Sequence, residues 1–313
     1  MSNTPPPAGP PVQSARRVVW TRRIRSFRRT WREFRSDRTG LVGLIILGIF
    51  ALLALFGPLI VGEDATSVIH APGQPYEPPS LEFPLGTDKN GRSVLAMLVV
   101  GARVSLLVGL VATVVSMVIG TVVGVSSGHF GGWTDTVLMR ISDWLLVIPF
   151  LPLAIVLLVA LQSSALRLSP VTAIAIVVGI TSWPATARLI RAQTLAVKSR
   201  PYLERARALG AGNWHQMSRH IMPNVMPLVL ANTTLTIAGA ILAETTLSFL
   251  GLGDPLRISW GTMLEEAFNS AAVSIGAWWW LLPPGIAIVV IVLAFTWVGH
   301  ALETVLNPRL KGR

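Results

Sequence analysis

The sequence predicts an all-α polytopic membrane protein with about six transmembrane helices, and three observations carry that expectation. Hydrophobic residues make up 52% of the 313-residue chain and charged residues only 13%, with a mean hydropathy of +0.60. A soluble chain of this length needs more charge to cover its surface, whereas lipid needs none. Apolar stretches approaching the roughly 20 residues that a helix needs to cross hydrocarbon recur along the chain. Arginine and lysine also alternate in density from one inter-span segment to the next, as they do in membrane proteins of fixed orientation.

Residues 1–13 are Pro-rich and expected to lack fixed structure. From Arg16 to Arg38, arginines are interleaved with Trp20, Ile24, Phe27, Trp31 and Phe34. Those five recur at steps of four, three, four and three, which is one face of a helix. The pattern predicts an amphipathic helix lying on an anionic membrane surface, in contact with membrane lipids. The alternative is a disordered basic tail. Leu41–Val61 follows as a first span without a charge. It is longer than a signal-peptide core and no clean cleavage pattern follows it, so a cleavable signal is not expected.

The next segment is rich in Pro and Gly and reads as an irregular outer loop. Within it, Phe83 to Arg92 is dense in turn-forming residues, a pattern that speaks for packing rather than chemistry. The remaining spans are Val104–Val125, Trp144–Leu161, Val171–Ala187, Val225–Phe249 and Trp278–Val298. Pro149, Pro152, Pro184, Pro283 and Pro284 are expected to kink them. Trp278, Trp279 and Trp280 read as an anchor at the outer interface. Arg140 and Asp143, three residues apart, are expected to form a local ion pair.

With both termini inside, the inner segments collect the arginines of 16–38, then Arg140, Arg188, Arg191, Lys198, Arg200, Arg205, Arg207, Arg219, Arg309, Lys311 and Arg313. The outer segments carry Lys89, Arg92, Arg167 and Arg257 against a larger set of carboxylates. The net charge of +11 is therefore a topology signal, and no nucleic-acid partner is expected.

Catalytic chemistry finds no footing. There are no cysteines, which removes disulfides, thiolate metal sites and cysteine nucleophiles. The five histidines show no metal-ligand spacing, and no Gly-x-Ser-x-Gly elbow occurs. The only lysines, Lys89, Lys198 and Lys311, follow Asp, Val and Leu, so no phosphate-cradling Gly-Lys pair is present. Neither an enzyme nor a metal site is expected. Glu244 stands alone inside the fifth span, where a carboxylate costs about 2.5–3.5 kcal/mol on insertion scales unless paired or wet. It is either a pathway-lining group or a hydrogen-bonded packing residue beside Thr245 and Thr246.

The inner stretch from Lys198 to Asn224 carries the most information. Pro201 suits a first helical turn and Glu204 favours the helix dipole. Leu203, Ala206 and Gly210 fall on one face, and Gly210 and Gly212 can end the helix in the left-handed conformation. Asn213 followed by Gln216 resembles a capping box opening a second short helix that Pro223 stops. Small residues at Ala206, Ala208 and Gly210 allow close approach of a partner, while Glu204 and the arginines can pair across it. A plain basic inner loop fits the composition equally well.

Glu204-Arg205-Ala206, then Gly210, then His220-Ile221-Met222-Pro223-Asn224 resembles the coupling-loop motif of binding-protein-dependent ABC importer permeases. Arg205 stands where that motif usually has its first Ala, and His220 where many members have Ile. Leu85 to Arg92, Gly101 to Gly109, Gly131-Gly132-Trp133, Ala243 to Gly253 and Asn307 to Leu310 are similar to the C-type permease subunit of dipeptide and oligopeptide importers. The resemblance implies a type I ABC importer permease fold with an N-terminal amphipathic helix. It implies a tail at 1–40, a first helix at 41–61, an extracytoplasmic loop at 62–97, a five-helix transport domain at 98–302 with its coupling loop at 198–224, and a cytoplasmic tail at 303–313. Glu204, Arg205, Ala206, Arg207, Gly210 and Ala211 would couple the chain to an ATPase. The implied partners are a homologous B-type permease subunit, two cytoplasmic ABC ATPase subunits or domains, and an extracytoplasmic peptide-binding protein. No cofactor is implied in this chain, ATP and Mg lying on the partner ATPases. Haem or a metal chelate is the alternative cargo, and a secondary transporter the competing mechanism.

Overall fold

The computed structural model describes residues 30–62, 66–69, 71–163 and 168–306. Among them, an isolated bridge between Thr87 and Ser93 is the one strand-like pairing. A short helix α1 (residues 30–36) leads into α2 (Arg38–Val61). Asp37 caps α2: its carboxylate accepts from the Gly40 amide at 3.0 Å and the Thr39 hydroxyl at 2.6 Å, which holds the carboxyl below the usual carboxylate range. The residues α2 buries are Gly40, Gly43 and Gly57. A Cβ at Gly43 would come within 2.8 Å of the Ala294 carbonyl on α11 (Trp278–Leu306), so the missing side chain is what lets the two helices meet. Leu52, Leu55, Leu59 and Ile60 face outward, as lipid requires.

Helix α3 (Val94–Phe130) has 37 residues, so at about 1.5 Å per residue it runs well beyond the hydrocarbon thickness. The expected second span is its middle part. It lies along α6 (Pro170–Lys198) through a seam of glycines one turn apart. A Cβ at Gly120 would meet Thr186 at 2.8 Å, one at Gly124 the Ala187 carbonyl at 2.6 Å, and one at Gly128 Thr194 at 2.7 Å. Gly179 of α6 repays the fit against Val115 and Ala112 of α3. This small-residue packing replaces the hydrophobic drive that helices lack in lipid.

The third span is bent, as Pro149 within Trp144–Leu161 leads one to expect, and the bend is a full break with a helix that starts before Trp144. The chain forms α4 (Gly132–Val147) and α5 (Phe150–Gln162), bent by 99° at the break. Pro149 lacks an amide proton and drives the preceding Ile148 into extended backbone, at φ −72° and ψ 127°. Pro184, Pro283 and Pro284, by contrast, lie inside unbroken helices. Among the described residues, five helices are long and apolar enough to cross a membrane, and the bent α4–α5 pair counted as one span makes a sixth.

After α6 come α7 (Pro201–Ala208), a three-residue α8 (Asn213–His215), a π-helical turn over Gln216–Ile221 and α9 (Met222–Leu247). The second inner helix therefore does not stop at Pro223. It runs on into the fifth span, because Pro223 directly follows the π-helical turn Gln216–Ile221, where the regular ladder of amide-to-carbonyl bonds is already shifted and a missing amide proton is tolerated. A second π-helical turn (Ser248–Leu252) and α10 (Trp260–Asn269) precede α11. At the end of the bundle that carries the loop at 71–93, Trp260, Trp280, Met97 and Ile291 belong to one buried cluster. Trp280 is fully buried and Trp279 donates to the Thr87 carbonyl at 3.2 Å, so of the three tryptophans only Trp278 is exposed as an interfacial anchor would be.

Candidate functional site

Helix α7 is built by local chemistry. Arg200 is its N-cap residue in extended conformation, and Pro201 occupies the first turn with φ already suited to a helix. Leu203, 0% exposed, anchors it against Val197, Ile221 and Val225. At its other end Gly210 adopts φ +85°, the Gly210 amide donates to the Arg207 carbonyl at 2.9 Å, and the Ala211 amide donates to the Ala206 carbonyl at 3.0 Å. Those paired bonds around a left-handed glycine form a Schellman motif. Gly212 differs from expectation: at φ −67° it is the extended N-cap of α8 rather than a left-handed residue.

The expected capping box between Asn213 and Gln216 does not form, because Gly212 is the N-cap and offers no side chain; Gln216 holds the preceding turn shut instead. Gln216 is buried, donates from Nε2 to the Ala211 carbonyl at 2.6 Å and accepts from Arg207 Nε at 2.9 Å. Arg207 is thus partly spent inside the loop. Glu204, Arg205 and Gly210 stay exposed, Ala206 and Ala211 are half-buried, and Glu204 and Arg205 form no ion pair with a described residue. Arg205, Ala206, Leu209, Gly210 and Ala211 share an open recess of about 580 Å³ with Tyr202, His215 and His220. Leu209 is 88% exposed and Trp214 79%, so two large apolar side chains stand out of an otherwise basic loop.

The loop is tied to the ends of the spans beside it. His129, at the inner end of α3, pairs through Nε2 with Asn213 Oδ1 at 3.1 Å. Lys198 donates to the His129 carbonyl at 2.6 Å. Just past two left-handed glycines, Gly131 and Gly132, Asp135 receives both Nε and an Nη of Arg191 at 2.6 Å and accepts from Ser127. Asp143 pairs with Arg188 of α6 at 2.5 Å, not with Arg140 on its own helix as expected. The tertiary partner wins because α4 packs against α6 and brings a guanidinium from another helix to the carboxylate.

Glu244 is 1% exposed on α9. Its two oxygens accept from Ser105 of α3 at 3.1 Å and from Ser248 at 2.8 Å, and Ser105 also accepts from the Trp260 amide at 3.2 Å. Within this chain the carboxyl therefore joins α3, α9 and α10 rather than facing open space. On the outer loop Arg92 is buried between Asp88 and Glu266, each at 2.6 Å. Arg103, one residue outside the expected second span, is a further basic group at the same end of the bundle as Arg92, and it is exposed. Its signal was a lone arginine at the edge of an apolar run.

Of the expected membrane-surface residues, Trp20, Ile24 and Phe27 lie outside the described residues. Trp31 is exposed, but Phe34, 4% exposed, stacks on it at 5.9 Å and packs against Val298, Ala301 and Val305 of α11. Phe34 is thus a contact between helices rather than a lipid contact.

Comparison with known proteins gives this architecture its relatives. Residues 120–312 match the family model described as binding-protein-dependent transport system inner membrane component. Residues 26–79 match the N-terminal TM domain of oligopeptide transport permease C. The oligopeptide transport system permease protein OppC of Bacillus subtilis is 36% identical over 89% of this chain and 88% of its own length. The dipeptide transport system permease protein DppC of Alkalihalophilus pseudofirmus is 32% identical over 98% and 96%. The glutathione transport system permease protein GsiD of Pectobacterium atrosepticum is 35% identical over 92% and 94%. With its bent third span and the helix-turn at 198–224 within the match over 120–312, the chain belongs to the binding-protein-dependent transport system inner membrane component family of multi-pass membrane permeases.

Proposed function

We propose that this chain is the C-type permease of an ATP-driven importer of short peptides, paired with a homologous permease around one pathway. Two cytoplasmic ATPases would dock on the pair, one of them on α7 of this chain, and an extracytoplasmic binding protein would deliver cargo. The observation that carries this reading is the free face of α7. Leu203 and Gln216 fix the helix from behind, while Glu204 and Arg205 on it, Leu209 in its turn and Trp214 on α8 are exposed, the two charged groups without an ion-pair partner among the described residues. Exposed apolar side chains ringed by charge suit a protein partner better than water. The relatives named for oligopeptide, dipeptide and glutathione transport support the cargo class.

Mechanistically, closure of the ATPases would draw on α7 and rock the spans between outward- and inward-facing arrangements. ATP and Mg would be held by those partners, and this chain would carry no catalytic residue. The region 98–302 would be the transport domain, with both termini and the loop 198–224 on the cytoplasmic side. Glu244 serves best as the packing group that its serine partners support. Reporters fused after Asp64 and after Gly210 are expected on opposite sides of the membrane; the same side for both would refute this orientation. Uptake of peptide is expected to require an ATPase that co-purifies with the chain. Uptake driven by an ion gradient alone would favour a secondary transporter instead.

A further inference from the structure

At the outer side, the ends of α2, α3 and α6, the second π-helical turn with the loop after it, and α10 surround a cavity of about 910 Å³, a size typical of small-ligand sites. The charged side chains lining it are Arg92, Arg103, Asp254, Arg257, Glu265 and Glu266. They are not equivalent. Arg92 and Glu266 are paired with each other, and Arg92 is neutralised again by Asp88. Asp254 Oδ1 accepts from the Leu256 amide at 3.0 Å, and Glu265 Oε1 accepts from Asn269 at 2.6 Å, so both acids keep their charge but are held by neutral donors. Arg103 and Arg257 have no carboxylate partner among the described residues, and both are exposed.

Arg103 is the more telling of the two. It sits within α3, at the outer edge of the apolar run, and an arginine facing hydrocarbon there is costly unless it reaches water, a counter-ion or the interface. Its neighbour Ala102 is buried, and Ser105 is tied to Glu244, so the helix at this point is fixed and Arg103 faces the cavity by register. A guanidinium presents a planar fork matched to a carboxylate, and that pairing is charge-assisted. The acids on the same wall leave the cavity bipolar, which suits a zwitterion better than a simple anion.

Resting on the peptide-importer reading above, we propose that Arg103, aided by Arg257, receives the terminal carboxylate of the incoming peptide in this outer cavity. Arg103 is then a specificity residue of the pathway, and Arg92 a purely structural one. The test reconstitutes the chain with its second permease, ATPases and binding protein in vesicles. It uses one short peptide that the binding protein accepts both as free acid and as C-terminal amide. Arg103→Gln is expected to lower uptake of the free acid by about tenfold or more and that of the amide by less than about twofold, the loss of one charge-assisted pair. Arg103→Lys restores part of the free-acid uptake, and Arg257→Gln gives a smaller loss of the same selectivity. Equal loss for both peptides overturns the proposal, as does no loss for either, which would mark Arg103 as an interfacial side chain reaching for water. Failure of Arg103→Gln to co-purify with the second permease also overturns it, since Arg103 would then pair with that subunit. If the unaltered complex takes up neither peptide, the cargo reading falls and the proposal with it. If it takes up both and Arg103→Gln does not discriminate, the proposal falls alone.

Discussion

The irregular loop at 71–93 and the largely helical segment at 198–224 both join spans and are both punctuated by Pro and Gly, yet they treat their polar groups in opposite ways. In the outer loop nearly every polar group that matters is answered within the chain. Thr87 donates to the Gln74 carbonyl and accepts from the Glu77 amide, Asp88 accepts from the amides of Asn90 and Arg92, and the Arg92 guanidinium is closed by Asp88 and Glu266. The segment 198–224 is answered at its back, by Leu203, Arg207 and Gln216 and by the ties of Lys198 and Asn213 to His129, while Glu204, Arg205, Leu209 and Trp214 stay exposed at its front. A loop that closes its own hydrogen bonds is scaffold. A loop that is rigid behind and unpaired in front is shaped for something outside the chain.

Substitutions can break that contrast, beginning where the effect should be greatest. Asp88→Ala leaves Arg92 buried with one carboxylate instead of two, and breaking such a pair costs about 3–5 kcal/mol. The melting temperature of the purified protein in detergent should fall sharply, and an unchanged melt would mean the outer loop is not scaffold. Gly210→Val puts a β-branched residue at φ +85°, a strain of about 1–3 kcal/mol confined to the turn. Peptide uptake and ATPase association should fall while the spans still insert normally. Glu204→Lys is expected to do the same without any strain. Gln216→Ala strands the Ala211 carbonyl and Arg207, costing about 1–3 kcal/mol locally. It should loosen α7 and give a partial loss of coupling, read as ATP hydrolysed per peptide imported. Trp214→Ala touches no core residue, so stability should change by less than about 0.5 kcal/mol. Its effect should appear only as weaker binding of the ATPase partner, and normal binding would argue that the bare front is not a docking face.

Much of this molecule could be read from its sequence, for reasons that mark the limits as well. Spans announce themselves because a membrane demands uninterrupted apolar length, and α2 and the middle of α3 obey that rule residue by residue. Helix α7 was legible because Pro201 and Gly210 act locally on the backbone. What failed was what depends on distant partners. Asp143 chose Arg188, 45 residues away, over Arg140 on its own helix. Trp280 looked like an anchor beside Trp278 but faces inward, and Phe34 looked like a lipid contact but meets α11. The break at Pro149 and the run-through at Pro223 involve the same residue type, separated by the backbone before it: Ile148 is extended, whereas Pro223 follows a π-helical turn.

The glycine seam between α3 and α6 has a mechanical corollary. With Gly120, Gly124 and Gly128 seated directly on α6, no layer of flexible side chains lies between the two helices to absorb displacement. They form a stiff beam with α7 hinged near one end and the Arg103 cavity near the other. Helix α6 alone has 29 residues, about 43 Å of length, so a tilt of about 5° at the inner end displaces the outer end by about 4 Å. A stroke delivered at the cytoplasmic face would arrive at the far side of the membrane with no slack to take up first.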